Sequence, residues 1–556
     1  MNAYTPPTPV QLRPPQSAAS WWPFVLVVAA YGVVALQQIT LPGVYMDAVN
    51  PDYLVVGVLN PHAESIGAWL LDGNYVLMKW PVLISFYHGS QQFWLGLPLF
   101  WIFGTTVTGL RLAHAMFALG LLGALYAMLA RGGLKPWQSA LACGALAIDP
   151  AFSYAFRTQS YITLAPAAWL FLSVYCMFRA AQSPQRWRWA LGSGALYGLA
   201  VVGYFIYAFF LPAMALALHW SLSGATREPG TPPARHAWLA WCAGGILGGI
   251  FYIVGYGLTI QFFGGLHEAW DYFQKTQRAL NAFTEQVSLG GRLAYLATML
   301  ESVVQNWFHH ELIFAEHETV PGASFKTALL LGGPLALWVG AEWRRQSSVL
   351  LRVLVALAVS FCVFALVFGT RLSGHHFMVL LPLAYGALAA GLRATVDAPP
   401  AWRSAVLTYA LPLAVLAALN IGGQVHEAKR LHETQGVGLY SDAINRLAED
   451  LDERGAKVFA YFPDWGLSMP VAFLTGGRVG MDSLEDYAGA RRKLCAGRDI
   501  ALAVITGERR ARIEAWRQQL RWDAPTIQVY RQGDGKVVFE VATFSGRPGA
   551  PGCAGS

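Results

Sequence analysis

Two carboxylates stand in an otherwise apolar stretch that follows the first apolar run, Leu41-Pro42-Gly43-Val44-Tyr45-Met46-Asp47-Ala48-Val49-Asn50-Pro51-Asp52-Tyr53. Ionisable groups at membrane depth are expensive to keep and are functional candidates by default. A carboxylate beside apolar surface is suited to accept a proton from a hydroxyl or amine nucleophile. Asp47 and Asp52 are both candidates, and Asp52 could equally cap the short helix that follows it. Lys79, Arg157 and Arg371 are isolated cations in segments otherwise poor in Lys and Arg, placed to hold an anion or to snorkel to lipid phosphates. His309-His310-Glu311, with His317 and Glu318 close behind, supplies nitrogen and oxygen ligands of the kind that hold Zn²⁺ or another divalent ion. Adjacent histidines usually point apart, which leaves interfacial packing as the other reading of that run.

The elements that must position these groups follow from composition. Only 71 of 556 residues are charged, 13%, and 55% are apolar, against about 25% charged in a soluble protein. A large soluble enzyme, a disordered scaffold and a collagen-like rod are excluded, and a polytopic membrane protein remains. Residues 1–421 hold 36 of the charges and residues 422–556 hold 35, so a membrane body precedes a soluble C-terminal domain. The net charge of +7 comes with no basic motif or face, and no nucleic-acid partner is expected.

A spanning helix needs about 20 mostly apolar residues. Eleven such runs occur, at 21–41, 109–130, 137–150, 161–178, 189–203, 205–222, 237–258, 327–341, 349–368, 376–392 and 403–421. One set of short loops carries Arg131/Lys135, Arg179/Arg186/Arg188, Arg227/Arg235, Arg344/Arg345 and Arg393/Arg403, and should face the cytoplasm. Residues 1–20 then form a disordered cytoplasmic tail. Segments 42–108 and 259–326 and the domain 422–556 face outward, as do Lys79, Arg157 and Arg371. Amphipathic stretches at 264–280 and 289–307 are expected at the outer membrane boundary. The C-terminal domain reads as α/β: a helix over 441–454, strands at 457–461 and 500–505, a helix over 509–519, and strands at 527–530 and 537–541. Cys495 and Cys553 lie in it and can pair if it faces an oxidising compartment.

Further elements bring a family into view. Asn74-Tyr75 and Lys79-Trp80-Pro81 precede Phe103-Gly104-Thr105-Thr106, and Leu110-Arg111-Leu112 opens the next helix. Asp149-Pro150 with Phe156-Arg157-Thr158-Gln159, the stretch 192–199, and Arg371-Leu372-Ser373-Gly374-His375-His376 with Leu381-Pro382 follow in order. An acid soon after the first helix, a Lys-x-Pro element and this entry to the second helix resemble the GT-C membrane glycosyltransferases. The nearest branch in appearance is that of the protein O-mannosyltransferases and aminoarabinose lipid A transferases. The likeness runs over about 400 residues.

The resemblance implies a bacterial inner-membrane enzyme with a cytoplasmic N-terminus and a periplasmic C-terminal domain. It would transfer a sugar from a polyprenyl-phosphate carrier, with inversion, to an envelope acceptor that is lipid A, another glycan or a protein. The family's loop acid maps to Asp47, with Asp52 second. Its phosphate-holding cations map to Lys79, Arg157, Arg371, His375 and His376. Many members carry a second acid where Ala48 stands and an acid where Gln159 stands, which puts a metal-dependent or two-carboxylate mechanism in doubt. A flippase of a lipid-linked sugar and a polysaccharide ligase or polymerase are the alternatives.

Overall fold

The computed structural model describes residues 21–63, 76–77, 80–223, 233–282, 287–318, 321–395, 402–464, 466–483, 485–505, 509–550 and 553. All eleven apolar runs fall on helices. In chain order the helices are α1 (Trp22–Leu36), α2 (Gln91–Phe103), α3 (Val107–Arg131), α4 (Pro136–Ala147), α5 (Leu164–Ala181), α6 (Arg186–Gly203), α7 (Leu211–Ser223), α8 (Ala234–Gly248) and α9 (Ile250–Phe263). There follow α10 (Leu266–Ala282), α11 (Leu289–Gln305), α12 (Trp307–Phe314), α13 (Ala323–Trp343), α14 (Val349–Phe368), α15 (Leu380–Thr395) and α16 (Trp402–Thr434).

Among the described residues, seven helices are long and apolar enough to cross a membrane, or up to nine if two bent pairs each count as one span. The expected count of eleven is therefore not reached by length and composition among the described residues. α1 has 15 residues, and α6 opens on Arg186 and Arg188 and holds four glycines, which lowers its mean hydropathy. The bent pairs are α4 with Pro150–Arg157, at 71°, and α8 with α9, at 42°. The chain is a multi-pass membrane protein.

Helix contacts are set by small residues. A Cβ on Gly194 would lie 2.0 Å from the Trp241 carbonyl oxygen, and one on Gly248 would lie 2.0 Å from that of Ala195. The Gly194/Gly198 and Gly244/Gly248 pairs let α6 and α8 meet backbone to backbone, as small residues at four-residue spacing do in membranes. α5 and α15 form the buried centre, where Phe171, Tyr207, Leu354 and Tyr385 share one core.

Beyond α16 come α17 (Ala443–Arg454), α18 (Ser468–Leu474), α19 (Tyr487–Cys495) and α20 (Arg509–Leu520). A short hairpin of β1 (Leu83–Ser85) and β2 (His88–Gly89) precedes α2, and the C-terminal sheet contains β3 (Val458–Tyr461), β4 (Gly480–Asp482), β5 (Asp499–Ile505), β6 (Thr526–Arg531) and β7 (Val537–Phe544). Its order is β4-β3-β5-β7-β6. β3 pairs parallel with β4 and β5, whereas β7 pairs antiparallel with β5 and β6. The strands and helices read from periodicity are present; β4, α18 and α19 are additions. Cys495 and Cys553 form a disulfide. α16 runs unbroken through position 421 to Thr434, so the sheet domain is reached only after the helix has ended.

Candidate active site

Asp47 sits in a single 3-10 turn, Met46–Ala48, on the segment that leaves α1. Its neighbours Met46, Ala48 and Val49 are buried and pin the turn from both sides. The carboxylate itself is half-buried and makes no side-chain hydrogen bond or ion pair among the described residues. Burial raises its pKa above the ordinary aspartate value, because removing a charge from water penalises the ionised form. Asp47 lies close to two tyrosines: burial, then the Asp47 charge, raises the pKa of Tyr87 and of Tyr440.

Asp52 has a different environment. It is fully buried, and its Oδ2 lies 2.6 Å from His114 Nε2. His114 Nδ1 faces the Phe156 carbonyl oxygen at 3.1 Å. A carbonyl only accepts, so Nδ1 carries the donated proton. The ring is stacked on Tyr161 at 3.7 Å. Asp52 thus fastens the loop to α3 and is closed to an acceptor.

Arg157, expected at the carrier phosphate, is used up by the protein. Its Nη1 donates to the carbonyls of Gln38 at 3.0 Å and Leu41 at 2.8 Å, and its Nη2 to those of Ala35 at 3.1 Å and Gln37 at 2.5 Å. These are orphan carbonyls at and beyond the C-terminus of α1, which have no partner within the helix. Arg111 supports the same loop from 3.4 Å and 3.5 Å at the carbonyls of Pro42 and Gly43. Arg157 is a clamp on α1 rather than a phosphate ligand.

The expected metal set also does not converge. On α12 successive side chains diverge by about 100°. His309 is buried, with Nδ1 3.0 Å from Asn306 Oδ1 and Nε2 2.9 Å from Ser160 Oγ, so both nitrogens are occupied. His310 turns to Glu427, and Glu311 turns outward to His317 at 2.8 Å. His309, His310 and Glu311 cannot share an ion.

His375 and His376 meet at Tyr204. The Tyr204 hydroxyl lies 3.2 Å from His375 Nε2 and 2.9 Å from His376 Nε2. His375 Nδ1 lies 3.0 Å from Gln159 Nε2 and 2.6 Å from Ser373 Oγ. His88 packs edge-on to Tyr204. Burial holds His88 down to about 4 and His309 to about 3, so both are neutral near pH 7. Arg371 is exposed at the end of the 3-10 turn Gly369–Arg371, and Lys79 lies outside the described residues. Sequence reasoning missed His88, His114 and Tyr204. A histidine within the outward segment was the available signal for His88; the other two lie inside helical or apolar runs that read as core.

The C-terminal domain closes over the Asp47 loop. The Gly43 N–H donates to the Tyr440 carbonyl at 2.8 Å, Asn60 Nδ2 to that of Gly476 at 3.0 Å, and Phe473 packs with Val44 and Phe100. Beside the site run two apolar spaces. One, of about 400 Å³, is lined by Gln91, Trp94, Trp169 and Phe251; the other, of about 810 Å³, by Phe86, Tyr256, Trp270, Phe273 and Arg278.

Residues 91–241, from α2 into α8, match the family model described as dolichyl-phosphate-mannose-protein mannosyltransferase. The fold is similar to that of ArnT from Cupriavidus metallidurans in the apo state, with a TM-score of 0.54 at 14% identity over 94% of this chain and 97% of that one. The same ArnT bound to undecaprenyl phosphate gives 0.49 at 14%, over 95% and 98%. An oligosaccharyltransferase from Archaeoglobus fulgidus gives 0.45 at 11%, over 92% and 72%. No curated protein matches the sequence. The chain is thus similar to the protein mannosyltransferases over residues 91–241 and to ArnT in overall fold.

Proposed function

We propose that the chain transfers a sugar from a polyprenyl-phosphate carrier to an envelope acceptor, with Asp47 as the base. The observation that carries this reading is the Asp47 carboxylate: half-buried, raised in pKa and without a partner among the described residues. The acceptor O–H or N–H attacks the anomeric carbon from the face opposite the phosphate. Its proton passes to Asp47, the bond from the anomeric carbon to the phosphate oxygen breaks, and the lipid phosphate leaves with the electron pair, inverting the centre.

Negative charge grows on the phosphate as that bond breaks, so fixed donors favour the transition state over the ground state. Arg371 supplies one such donor and Lys79 a further cation, while His375 and His376, whose ring nitrogens are engaged by Tyr204, Gln159 and Ser373, hold the Tyr204 hydroxyl beside them. The donor class is supported by the description of the matched family and by the ArnT structure with undecaprenyl phosphate. The apolar spaces lined by Trp94 and Trp270 suit an isoprenoid chain. The disulfide suits a C-terminal domain on the oxidising, periplasmic side of an inner membrane. The GT-C fold favours an enzyme over a flippase.

The test is complementation of a deletion strain, read by mass spectrometry of its lipid A, glycans and envelope proteins. The wild-type gene should restore the missing mass, which names the sugar and the acceptor, and Asp47→Asn should not. Restoration by Asp47→Asn would remove the base from the mechanism.

A further inference from the structure

On α12, on the loop that follows it and on α16, a second group of side chains gathers that glycosyl transfer does not use. His310 is 2% exposed, and its Nδ1 lies 3.1 Å from both oxygens of Glu427. Glu427 is 2% exposed as well, and it also accepts from Asn306 Nδ2 at 3.0 Å. A carboxylate that takes the Nδ1 proton fixes the tautomer and leaves a lone pair on Nε2, the arrangement that orients imidazoles on metals. His310 Nε2 is buried and has no hydrogen-bond partner.

His426, one residue before Glu427, presents a second buried Nε2 with no hydrogen-bond partner. Both nitrogens face the same oxygen, Oε2 of Glu318, at 3.9 Å from His310 and 3.3 Å from His426. The Glu316 carboxylate completes the group: ligand atoms of His310, Glu316 and Glu318 lie within 4.8 Å of one another. Ligands about 2.1 Å from a tetrahedral ion stand about 3.4 Å apart. The ligand atoms of His310, Glu316 and Glu318 are therefore near enough to draw in on one ion, with His426 beside Glu318.

We propose that His310, Glu316 and Glu318 bind one divalent transition-metal ion of the zinc class, with His426, which faces Glu318, in the fourth position. Two imidazoles with carboxylate favour Zn²⁺ over Mg²⁺ or Ca²⁺, which prefer oxygen ligands alone. Glu316 also pairs with Arg430, a partner it exchanges for the ion. The ion ties the segment after α12 to α16 on the outward side. The set differs from the run of three consecutive residues seen in the sequence, because its members come from three places in the chain.

The experiment is elemental analysis of full-length protein, purified in detergent through a tag without histidine after growth with added zinc. Wild type and His432→Ala, an exposed histidine on the same helix, should each carry ~1 zinc per chain, and His310→Gln and His426→Gln should carry ~0.2 or less. A chelator should lower the melting temperature of wild type, with recovery on adding Zn²⁺, and should leave His426→Gln unmoved. If His310→Gln does not fold, His426→Gln and Glu318→Gln carry the comparison. The proposal is overturned by wild type that shows no saturable site on titration with Zn²⁺ or Co²⁺. It is equally overturned if the His426→Gln and Glu318→Gln variants keep stoichiometric metal.

Discussion

Asp47 and Asp52 are five positions apart, yet their surroundings divide their roles. Asp52 is closed in by His114, whereas Asp47 meets the open side of the loop with its charge unpaired among the described residues. Asp47→Asn should cut transfer by ~10²–10⁴-fold, the usual contribution of a general base. Its melting temperature should not fall. A carboxyl whose folded pKa is raised binds its proton more tightly when folded, so stability declines as pH rises from the unfolded value to the folded one. Removing that charge relieves the cost at neutral pH. The same shift places the acid limb of the rate profile above the ordinary aspartate pKa of ~4, and a limb at or below that value would contradict the burial. The two arginines separate in the same manner. Arg157→Met should leave the buried Ala35 carbonyl without its donor, at about 1–3 kcal/mol, and lower the melting temperature. Arg371→Ala should leave stability unchanged and raise KM for the carrier substrate.

Helix ends, more than helix middles, build this site. The break after α4 is organised by Asp149, whose Oδ1 caps the Ala151 N–H at 3.0 Å and accepts from Lys326 at 2.6 Å while Oδ2 accepts from Tyr385 at 2.7 Å. Lys326→Met leaves a buried carboxylate without its cation and should cost about 3–5 kcal/mol. The double variant Asp149→Asn/Lys326→Met should recover much of that loss in thermal unfolding. The apolar runs were legible because hydrophobicity is a property of composition, and the paired amphipathic helices α10 and α11 were legible because period is. Which cation was committed to protein was not legible. Arg157 and Arg371 look alike in sequence, and the difference lies in carbonyls more than 115 positions away in the chain.

At the scale of the whole molecule, the sheet domain and the membrane body meet at the Asp47 loop. Gly43, Tyr45 and Asn60 touch residues from Tyr440 to Gly476, so the domain covers that loop. No periodicity in either part foretold that seam. The rise in charge after position 421 marked a change of solvent, not the end of α16. The disulfide closes a loop of 58 residues, for which chain entropy gives about 4 kcal/mol. Cys495→Ser should destabilise the sheet domain by an amount of that order, seen as an earlier domain transition in calorimetry with the helical transition little changed.

The grip of Arg157 on α1 has a consequence for how such chains diverge. All four of its hydrogen bonds to this segment go to main-chain oxygens, and a main-chain oxygen is the same whatever side chain the residue bears. The first helix can exchange its lipid-facing residues freely without loosening the turn that carries Asp47, provided its carbonyls end in the same place. An architecture fastened through the backbone can be inherited by chains whose letters no longer agree.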